Sequence, residues 1–230
     1  MSQLTAALKS SIGSKVVMAL TGLGLVLFVI VHMAGNLQMF AGQDAMNAYG
    51  VTLRKMPLLL WIARIGLLGI AVLHVVISIR LKLANRGARP MRYEHEKTVQ
   101  ASLSSRTMIM SGLIILTFLV YHLLHFTLGF TDPKSFALHD AQGRHDVYNM
   151  VIAGFKNPLI SGGYILAMVL LFAHLGHGAS SWMQSLGWNH PKYNGIIAKV
   201  GPVISWLVCL GFISIPVAVL LGILKPVGGM

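Results

Sequence analysis

Residues 14–32 read SKVVMALTGLGLVLFVIVH, and residues 105–122 read SRTMIMSGLIILTFLVYH. Both stretches pass from a serine and a basic residue, through a small-residue step, into an apolar run that ends in a histidine. The same interval separates the glycine of that step from the final histidine, which is His32 or His122. The two stretches are therefore predicted to be copies of one helical unit.

The composition is that of a membrane protein. Hydrophobic residues make up 55% of the 230 positions and charged residues only 10%, which leaves too little polar surface for a soluble globular protein. A helix needs about 20 mainly apolar residues to cross a bilayer. Five stretches qualify, namely 16–40, 58–83, 107–130, 159–183 and 196–223. We therefore predict an all-α integral membrane protein in which residues 1–230 form a single transmembrane bundle.

The second and fourth spans form a further related pair. Residues 56–74 read MPLLLWIARIGLLGIAVLH, and residues 157–174 read NPLISGGYILAMVLLFAH, so a proline and a histidine align in both once a single gap is allowed. Spans one and two are therefore predicted to recur as spans three and four. Repeats in membrane proteins often place a site between the copies. The fifth span has no counterpart and is predicted to cover one side of the bundle.

The basic residues are sorted by loop, which argues against a nucleic-acid surface despite a net charge of +12. Starting from the N-terminus, alternate loops carry Lys9, Lys15, Arg80, Lys82, Arg86, Arg89, Arg92, Lys97, Arg106, Lys192 and Lys199. The opposite loops and the C-terminus carry Arg54, Lys55, Lys134, Arg144, Lys156 and Lys225, together with Asp44, Asp132, Asp140 and Asp146. The positive-inside rule then predicts a cytoplasmic N-terminus and an external C-terminus. The polar loop 85–104 is predicted to contact a soluble partner.

Segment 131–157, between spans three and four, is longer than its counterpart between spans one and two and contains no motif that indicates a function. Its Tyr148 is grouped with three tryptophans near the span ends, Trp61, Trp182 and Trp188. Such residues are typical of an interfacial aromatic belt.

Four of the five spans carry a histidine, and an ionisable side chain inside a bilayer is costly and usually kept for a function. At about 1.5 Å per residue, His32 and His122 lie roughly 25 Å from the predicted cytoplasmic helix ends. His74 and His174 lie roughly 15 Å from those ends by the same measure. We call His32 and His122 the outer pair, and His74 and His174 the inner pair. Two neutral imidazoles facing each other across a bundle are the axial ligands of a b-type haem, so two non-covalent haem b groups are predicted.

Neighbouring histidines leave the ligand assignment open. His125 and His177 follow His122 and His174 at the spacing His-x-x-His, and either member of each couple could be the ligand while its neighbour serves proton exchange or hydrogen bonding. The intervals within the repeat favour His122 and His174. The same spacing also suggests zinc. No span contains Asp or Glu, which excludes a carboxylate-rich di-iron site, and the lone Cys209 excludes a disulfide within the chain, a CxxCH haem attachment and a cluster held by several cysteines of this chain.

Haem propionates need cations or hydroxyl donors near the membrane surface. The candidates at the predicted cytoplasmic ends of the spans are Ser14, Lys15, Arg80, Ser105 and Arg106. Arg64 lies inside the second span and needs a partner there, for which we predict a propionate of the outer haem. Glycines that would let a flat macrocycle approach the backbone, unless they serve ordinary helix packing, are Gly22, Gly24, Gly112, Gly162, Gly163, Gly176 and Gly178.

The histidine segments resemble those of a known family, the cytochrome b membrane-anchor subunit of succinate dehydrogenase and fumarate reductase in its five-helix, single-chain, dihaem form. The resemblance covers nearly the whole chain and is carried by FVIVHMAGN around His32, VLHVV around His74, FLVYH around His122, and HLGHG from His174 to Gly178, followed by SLGW. The last segment is similar to a family pattern of a histidine, three residues and a glycine. That pattern favours His174 over His177.

The resemblance implies that the inner pair holds one haem and the outer pair the other. It implies two partners, a flavoprotein subunit carrying FAD and an iron–sulfur subunit docked on the cytoplasmic face, and a quinone as the substrate in the membrane. The chain would then be the non-catalytic membrane subunit of a succinate:quinone oxidoreductase of the tricarboxylic acid cycle and respiratory chain, embedded in the lipid of a bacterial cytoplasmic (inner) membrane. The alternatives are a cytochrome b subunit of a hydrogenase or formate dehydrogenase, and a small proton-linked transporter.

Overall fold

The computed structural model describes residues 10–88, 103–188 and 190–228. The α-helices in these residues are α1 (Ser11–Asn36), α2 (Gln43–Arg54), α3 (Pro57–Gly87), α4 (Leu103–His122), α5 (Pro133–Phe136), α6 (Val147–Lys156), α7 (Pro158–Ser185) and α8 (Asn194–Leu220). A 3₁₀ turn, Leu37–Ala41, extends α1, and a π turn, Leu123–Thr127, extends α4. Most of the predicted partner-contacting loop, including Arg89, Arg92 and Lys97, lies outside the described residues. Lys9, near the N-terminus, lies outside them as well.

Five of these helices are long and apolar enough to cross a membrane, which confirms the predicted all-α, multi-pass architecture. The spans are α1 with its 3₁₀ turn, α3, α4 with its π turn, α7 and α8. Their ends follow local chemistry rather than hydropathy alone. The hydroxyl of Ser10 accepts a hydrogen bond from the Gly13 backbone nitrogen, so α1 begins well before the apolar run. Pro57 and Pro158 occupy the first positions of α3 and α7, where a missing amide hydrogen is tolerated.

The first four spans form a ring in which each hairpin packs on itself. Helix α1 packs against α3, α4 packs against α7, and α1 also packs against α7, whereas α3 and α4 make only a short contact. In the described residues, α1 therefore lies diagonally from α4, and α3 diagonally from α7. Helix α8 packs most extensively on α7 and also contacts α1 and α6, so it covers one side of the ring.

The main cluster of buried hydrophobic residues lies at the predicted outer end of the bundle rather than along the whole length of the spans. It is centred on α6, where Met150, Ile152 and Phe155 are buried, and it extends to Met39 and Ile215. Lipid can solvate the apolar faces of the spans, so the spans need not bury them against one another. The short amphipathic helix α6 must bury its apolar face in protein. Segment 131–157, which the sequence left without an interpretation, therefore contributes much of the core.

Tyr148 belongs to this core, so its predicted place in an interfacial belt is wrong. Its side chain is 5% exposed, and its hydroxyl donates a hydrogen bond of 3.2 Å to the Lys225 carbonyl oxygen. The C-terminal residues fold back over α6, since the Asn149 side chain also bonds the backbone of Val227 at both its nitrogen and its oxygen.

We call α2, residues 137–146, α6 and residues 223–228 the outer cap. Its centre is the buried carboxylate of Asp146, which accepts hydrogen bonds from the amide side chains of Gln43 at 2.7 Å, Asn47 at 3.0 Å and Asn149 at 2.7 Å. The hydrogen bonds that a buried carboxylate needs are thus donated by side chains of α2 and α6. The outer cap holds the two connections between spans together in one polar and apolar unit.

Candidate functional site

The two inner histidines make matching contacts with hydroxyl groups. The Nδ1 atom of His74 lies 3.1 Å from the Thr21 Oγ1 atom, and the Nδ1 atom of His174 lies 3.1 Å from the Ser111 Oγ atom. Thr21 and Ser111 belong to the small-residue steps of the two similar stretches. The structure therefore places each inner histidine against a hydroxyl of its hairpin partner, His74 on α1 and His174 on α4.

The glycines next to those hydroxyls explain how the rings come so close to the helices. A Cβ atom at Gly22 would lie 3.3 Å from the His74 Cε1 atom, and one at Gly112 would lie 3.3 Å from the His174 Cε1 atom. A side chain at either position would push the imidazole away from its hydroxyl partner. These two glycines let a histidine ring approach the helix, and their predicted role in the approach of a macrocycle stays a prediction.

The other glycines proposed for a macrocycle have different surroundings. Gly24 faces the Ile70 side chain and Gly176 faces Ser205, which is ordinary helix packing. Gly162, Gly163 and Gly178 face open space, since a Cβ atom there would meet nothing within 4 Å.

The two outer histidines meet across a diagonal, between α1 and α4. Their ring centroids are 5.9 Å apart and the rings are nearly perpendicular, at 80°. Aromatic rings surround them, with contacts from Phe28, Phe118, Phe126, Tyr164 and Phe212. In the part of the chain that the structure describes, the buried Nδ1 atom of His122 has no hydrogen-bond partner. A buried polar atom of this kind is costly unless a ligand satisfies it.

His32 is held by its own helix. The Asn36 amide nitrogen lies 2.7 Å from the His32 carbonyl oxygen and 3.3 Å from the His32 Nε2 atom. An amide nitrogen only donates, so Nε2 is the acceptor and its lone pair is directed to Asn36. Coordination of a metal through this Nε2 atom requires the ring to turn away from Asn36.

His125 is engaged elsewhere, which favours His122 as the ligand of that couple. It lies in the π turn, is 3% exposed, and its Nδ1 atom is 3.0 Å from the Tyr164 hydroxyl. Its ring stacks on Phe126 at a centroid distance of 3.9 Å, and its Nε2 atom would lie 3.0 Å from a Cβ atom at Gly154. There is no room for a macrocycle against that nitrogen.

His177 is half-buried on α7 and lies within electrostatic reach of His174. It makes no hydrogen bond that would orient its ring among the described residues. No group of three or more His, Cys, Asp or Glu side chains comes together in those residues as a metal site. A zinc ion bound by either His-x-x-His couple would therefore lack a third protein ligand among the described residues.

Two observations test whether these residues fit haem. Imidazole nitrogens bind a first-row metal ion at about 2 Å, which places the centres of two rings on opposite sides of one ion roughly 6 Å apart. The outer pair has that spacing. In the inner pair, each Nδ1 atom contacts a hydroxyl, and a hydrogen bond at the second ring nitrogen is usual for a metal-binding histidine. Nε2 is then left for the metal. Both pairs supply the two imidazoles that a haem needs, and ligation by the outer pair requires His32 to release Asn36.

The predicted propionate residues lie mostly at the surface. Ser14 is buried in α1, whereas the other residues at the predicted cytoplasmic end, Lys15, Arg80, Ser105 and Arg106, are exposed. Arg64 is exposed on α3, and its guanidinium carbon lies 5.2 Å from the centroid of the Trp61 ring on the same helix. A propionate role for any of them stays a prediction.

Electrostatics outside the spans are concentrated in the outer cap. Burial alone would raise the pKa of Asp140, but hydrogen bonds from Asn47 and Arg144 outweigh it and lower the pKa to about 2. Arg144 also forms an ion pair with Asp44 at 2.9 Å. Burial, reinforced by the charge of Arg54, lowers the pKa of His145. The outer cap thus contains a carboxyl group whose pKa is lowered by hydrogen bonds and a histidine whose pKa is lowered by burial.

Sequence reasoning noted Thr21 and Ser111 only as small residues and did not identify Tyr164 or Asn36 as partners of histidines. A signal for the first two was present, because a hydroxyl residue precedes the glycine in both copies. Tyr164 lies on a different span from His125, and no spacing rule connects them. Asn36 could have been found from its i+4 relation to His32.

The fold and these contacts define a class, a multi-pass helical membrane protein with paired intramembrane histidines. No family model, no curated protein and no solved structure matches the chain.

Proposed function

We propose that the chain is the membrane-anchor and electron-transfer subunit of a succinate:quinone oxidoreductase, of the succinate dehydrogenase and fumarate reductase type. In this proposal His74 with His174 and His32 with His122 are the axial ligands of two b haems. The dicarboxylate chemistry belongs to a flavoprotein subunit, and an iron–sulfur subunit connects it to the N-terminal side of this chain. The membrane is the bacterial cytoplasmic membrane, with the N-terminus inside.

One observation carries the proposal. Four spans of one helical ring each carry a histidine of the two pairs, with a ring contact between the outer histidines and matching hydroxyl-anchored nitrogens at the inner ones. A histidine kept only for helix association needs a hydrogen-bonding neighbour, not a second histidine on the opposite helix. Paired imidazoles at two depths favour a redox chain across the membrane over a single structural contact.

The chain's own residues would supply binding, orientation and exclusion of water. Thr21 and Ser111 hold the inner imidazoles against α1 and α4, and the aromatic rings of Phe28, Phe118 and Phe212 line the outer pair. Bound haem would supply one-electron redox chemistry, which apolar side chains lack. The apolar surroundings keep the imidazoles neutral and therefore able to act as ligands.

The decisive experiment measures haem per polypeptide. The full chain is purified in detergent, and reduced-minus-oxidised spectra and a pyridine haemochrome assay are combined with protein quantification. The proposal expects b-type bands and about two haems per chain. A ratio near one would refute the two-level arrangement, and a colourless preparation that stays blank after addition of hemin would favour the transporter. Co-purification of hydrogenase or formate dehydrogenase subunits instead of a flavoprotein would overturn the assignment to succinate oxidation.

A further inference from the structure

The hydroxyls of Thr21 and Ser111 each have one proton and more than one neighbour. The Thr21 hydroxyl lies 2.8 Å from the Val17 carbonyl oxygen and 3.1 Å from that of Met18, and the Ser111 hydroxyl lies 3.1 Å from that of Met108. Serine and threonine hydroxyls in helices commonly donate to a carbonyl oxygen one turn back, as these distances allow. With the proton placed there, a lone pair of each hydroxyl faces the histidine and accepts the hydrogen of Nδ1.

The Nδ1 atom of each inner imidazole thus meets a hydroxyl whose own proton has another acceptor. A neutral imidazole has one hydrogen, and in this arrangement that hydrogen lies on Nδ1.

We propose that Thr21 and Ser111 are positioning residues that hold the two inner histidines in the Nδ1-protonated tautomer, so that Nε2 is ready to bind haem iron and the inner site fills before the outer site. This inference rests on the proposed function for its haem-binding part alone. The tautomer itself follows from the hydrogen bonds.

The outer pair has no such arrangement, and this is the reason for the order of filling. The Nε2 lone pair of His32 is directed to the Asn36 amide, and the Nδ1 atom of His122 is buried without a partner. Ligation at the outer level must therefore break one contact and reorient a ring. A site whose ligands are already oriented binds more tightly, because less reorganisation accompanies binding.

The tautomer is tested first, in the absence of haem. The full chain is labelled with ¹⁵N on histidine and purified in detergent as the haem-free form, and ¹⁵N shifts report which ring nitrogen is protonated. We expect His74 and His174 to be neutral and protonated on Nδ1. Thr21→Val should reduce the Nδ1-protonated population of His74 alone, and Ser111→Ala that of His174 alone, because each variant removes the hydroxyl acceptor of one ring.

Matched controls come from hydroxyls that bond only to their own helix. Thr117 donates to the Leu113 carbonyl oxygen at 3.1 Å, and Ser181 donates to that of Gly178 at 3.1 Å. Thr117→Val and Ser181→Ala should leave the spectra of both inner histidines unchanged. Thr21→Ser and Ser111→Thr keep the hydroxyl and should restore the wild-type spectra.

The order of filling is tested with hemin. One equivalent of hemin added to the haem-free chain should bind at the inner pair first. The ¹⁵N signals of His74 and His174 should then be lost before those of His32 and His122. Loss of a hydrogen bond to a ligating histidine typically weakens metal binding about 10- to 100-fold. Thr21→Val should weaken inner-site affinity within that range and raise the midpoint potential of the inner haem, since its ligand becomes less basic.

The two proposals fail in distinguishable ways. If the inner histidines show Nε2 protonation, or if Thr21→Val behaves like Thr117→Val, the positioning role is overturned whatever the haem content. If the tautomers are as expected and no hemin binds, the positioning role stands and the proposed function fails. If the outer pair is occupied first, the inferred order of filling is wrong.

Discussion

At the inner pair, each imidazole is anchored through one nitrogen by a hydroxyl of a neighbouring span, whereas at the outer pair the imidazoles lie among aromatic rings. The inner rings contact Thr21 and Ser111 across the gap left by Gly22 and Gly112. The outer rings contact each other and a shell of phenylalanines. The difference shows that one side chain type can be placed by directional hydrogen bonds at one level of a bundle and by shape at another.

The two levels also differ in what supports them from outside. The outer pair lies beneath the outer cap, with its buried Asp146 and its core around α6. The inner pair is carried by α3, which buries only Ile77, and by α7, which packs on α8. We therefore expect changes at the inner level to act on ligand orientation and changes at the outer level to act on stability.

Removal of the ligands themselves has the largest expected effect. His174→Ala or His74→Ala should remove the inner haem only, and His122→Ala or His32→Ala the outer haem only, so each variant falls from about two haems per chain to about one. A pyridine haemochrome assay measures the ratio. The controls are His125→Ala and His177→Ala, which should keep both haems. Loss of a haem in the His125 variant would show that the wrong histidine of that couple was chosen.

Filling the gap beside the inner rings should have the next largest effect. Gly22→Ala and Gly112→Ala place a Cβ atom 3.3 Å from His74 and His174, so each ring must shift by a few tenths of an ångström. We expect about tenfold weaker hemin binding at the inner site, comparable to loss of a ligand's hydrogen-bond partner, and an unchanged outer site. A hemin titration followed in the Soret band measures both sites.

Gly24→Ala is the matched control for that experiment. Its Cβ atom would meet the flexible Ile70 side chain at 3.5 Å, which is ordinary contact. Equal effects from Gly22→Ala and Gly24→Ala would mean that the inner rings are not held by close approach to α1.

Removing the hydroxyl of Tyr164 should affect the stability of the outer level and spare its haem. Tyr164→Phe leaves the buried Nδ1 atom of His125 without its partner, which costs about 1–3 kcal/mol. Denaturant unfolding in detergent, with haem content measured in parallel, checks this. Tyr121→Phe is the control, because Tyr121 touches the same rings and its hydroxyl makes no hydrogen bond among the described residues. A loss of haem with unchanged stability would contradict the division between the two levels.

Acid should have the smallest effect, confined to the outer cap. The pKa of Asp140 is lowered from 3.8 to about 2, so its hydrogen bonds contribute fully above pH 3.8 and are lost as the pH falls towards 2. The thermal midpoint of the chain in detergent should therefore decline in that window. Asp140→Asn should flatten the decline, whereas Asp44→Asn, at an exposed carboxylate, should leave it largely in place. If Asp140→Asn showed the same pH dependence of the thermal midpoint as the wild type, Asp140 would not contribute to the acid sensitivity of the outer cap.

The spans and the histidine couples were the predictable part of this protein. Apolar runs long enough to cross a bilayer produce helices almost regardless of context, because the bilayer offers backbone groups no other partner. Counting residues along those helices placed His32 near the level of His122, and the rings are indeed in contact. The repeat between the two hairpins stays a prediction, supported by the like contacts of Thr21 with His74 and Ser111 with His174.

The outer cap could not be predicted in the same way. Tyr148 looked like a belt residue because it was grouped with tryptophans near the span ends, yet it is buried beneath the folded-back C-terminal residues. Asp146 looked like one surface carboxylate among several, and the amides that bind it come from α2 and α6. These placements depend on contacts between segments that are far apart in the chain. Local sequence patterns do not predict such contacts.

By itself, the amino-acid sequence determined that the chain crosses a membrane five times and carries histidines at two depths, because hydropathy and helical rise act along the chain one residue at a time. Only the tertiary structure decided which nitrogen of each inner histidine is anchored, that His125 is closed off by Tyr164 and Gly154, and that the core lies under α6. Those features arise from distances between different helices, and such distances are set by packing rather than by order in the sequence.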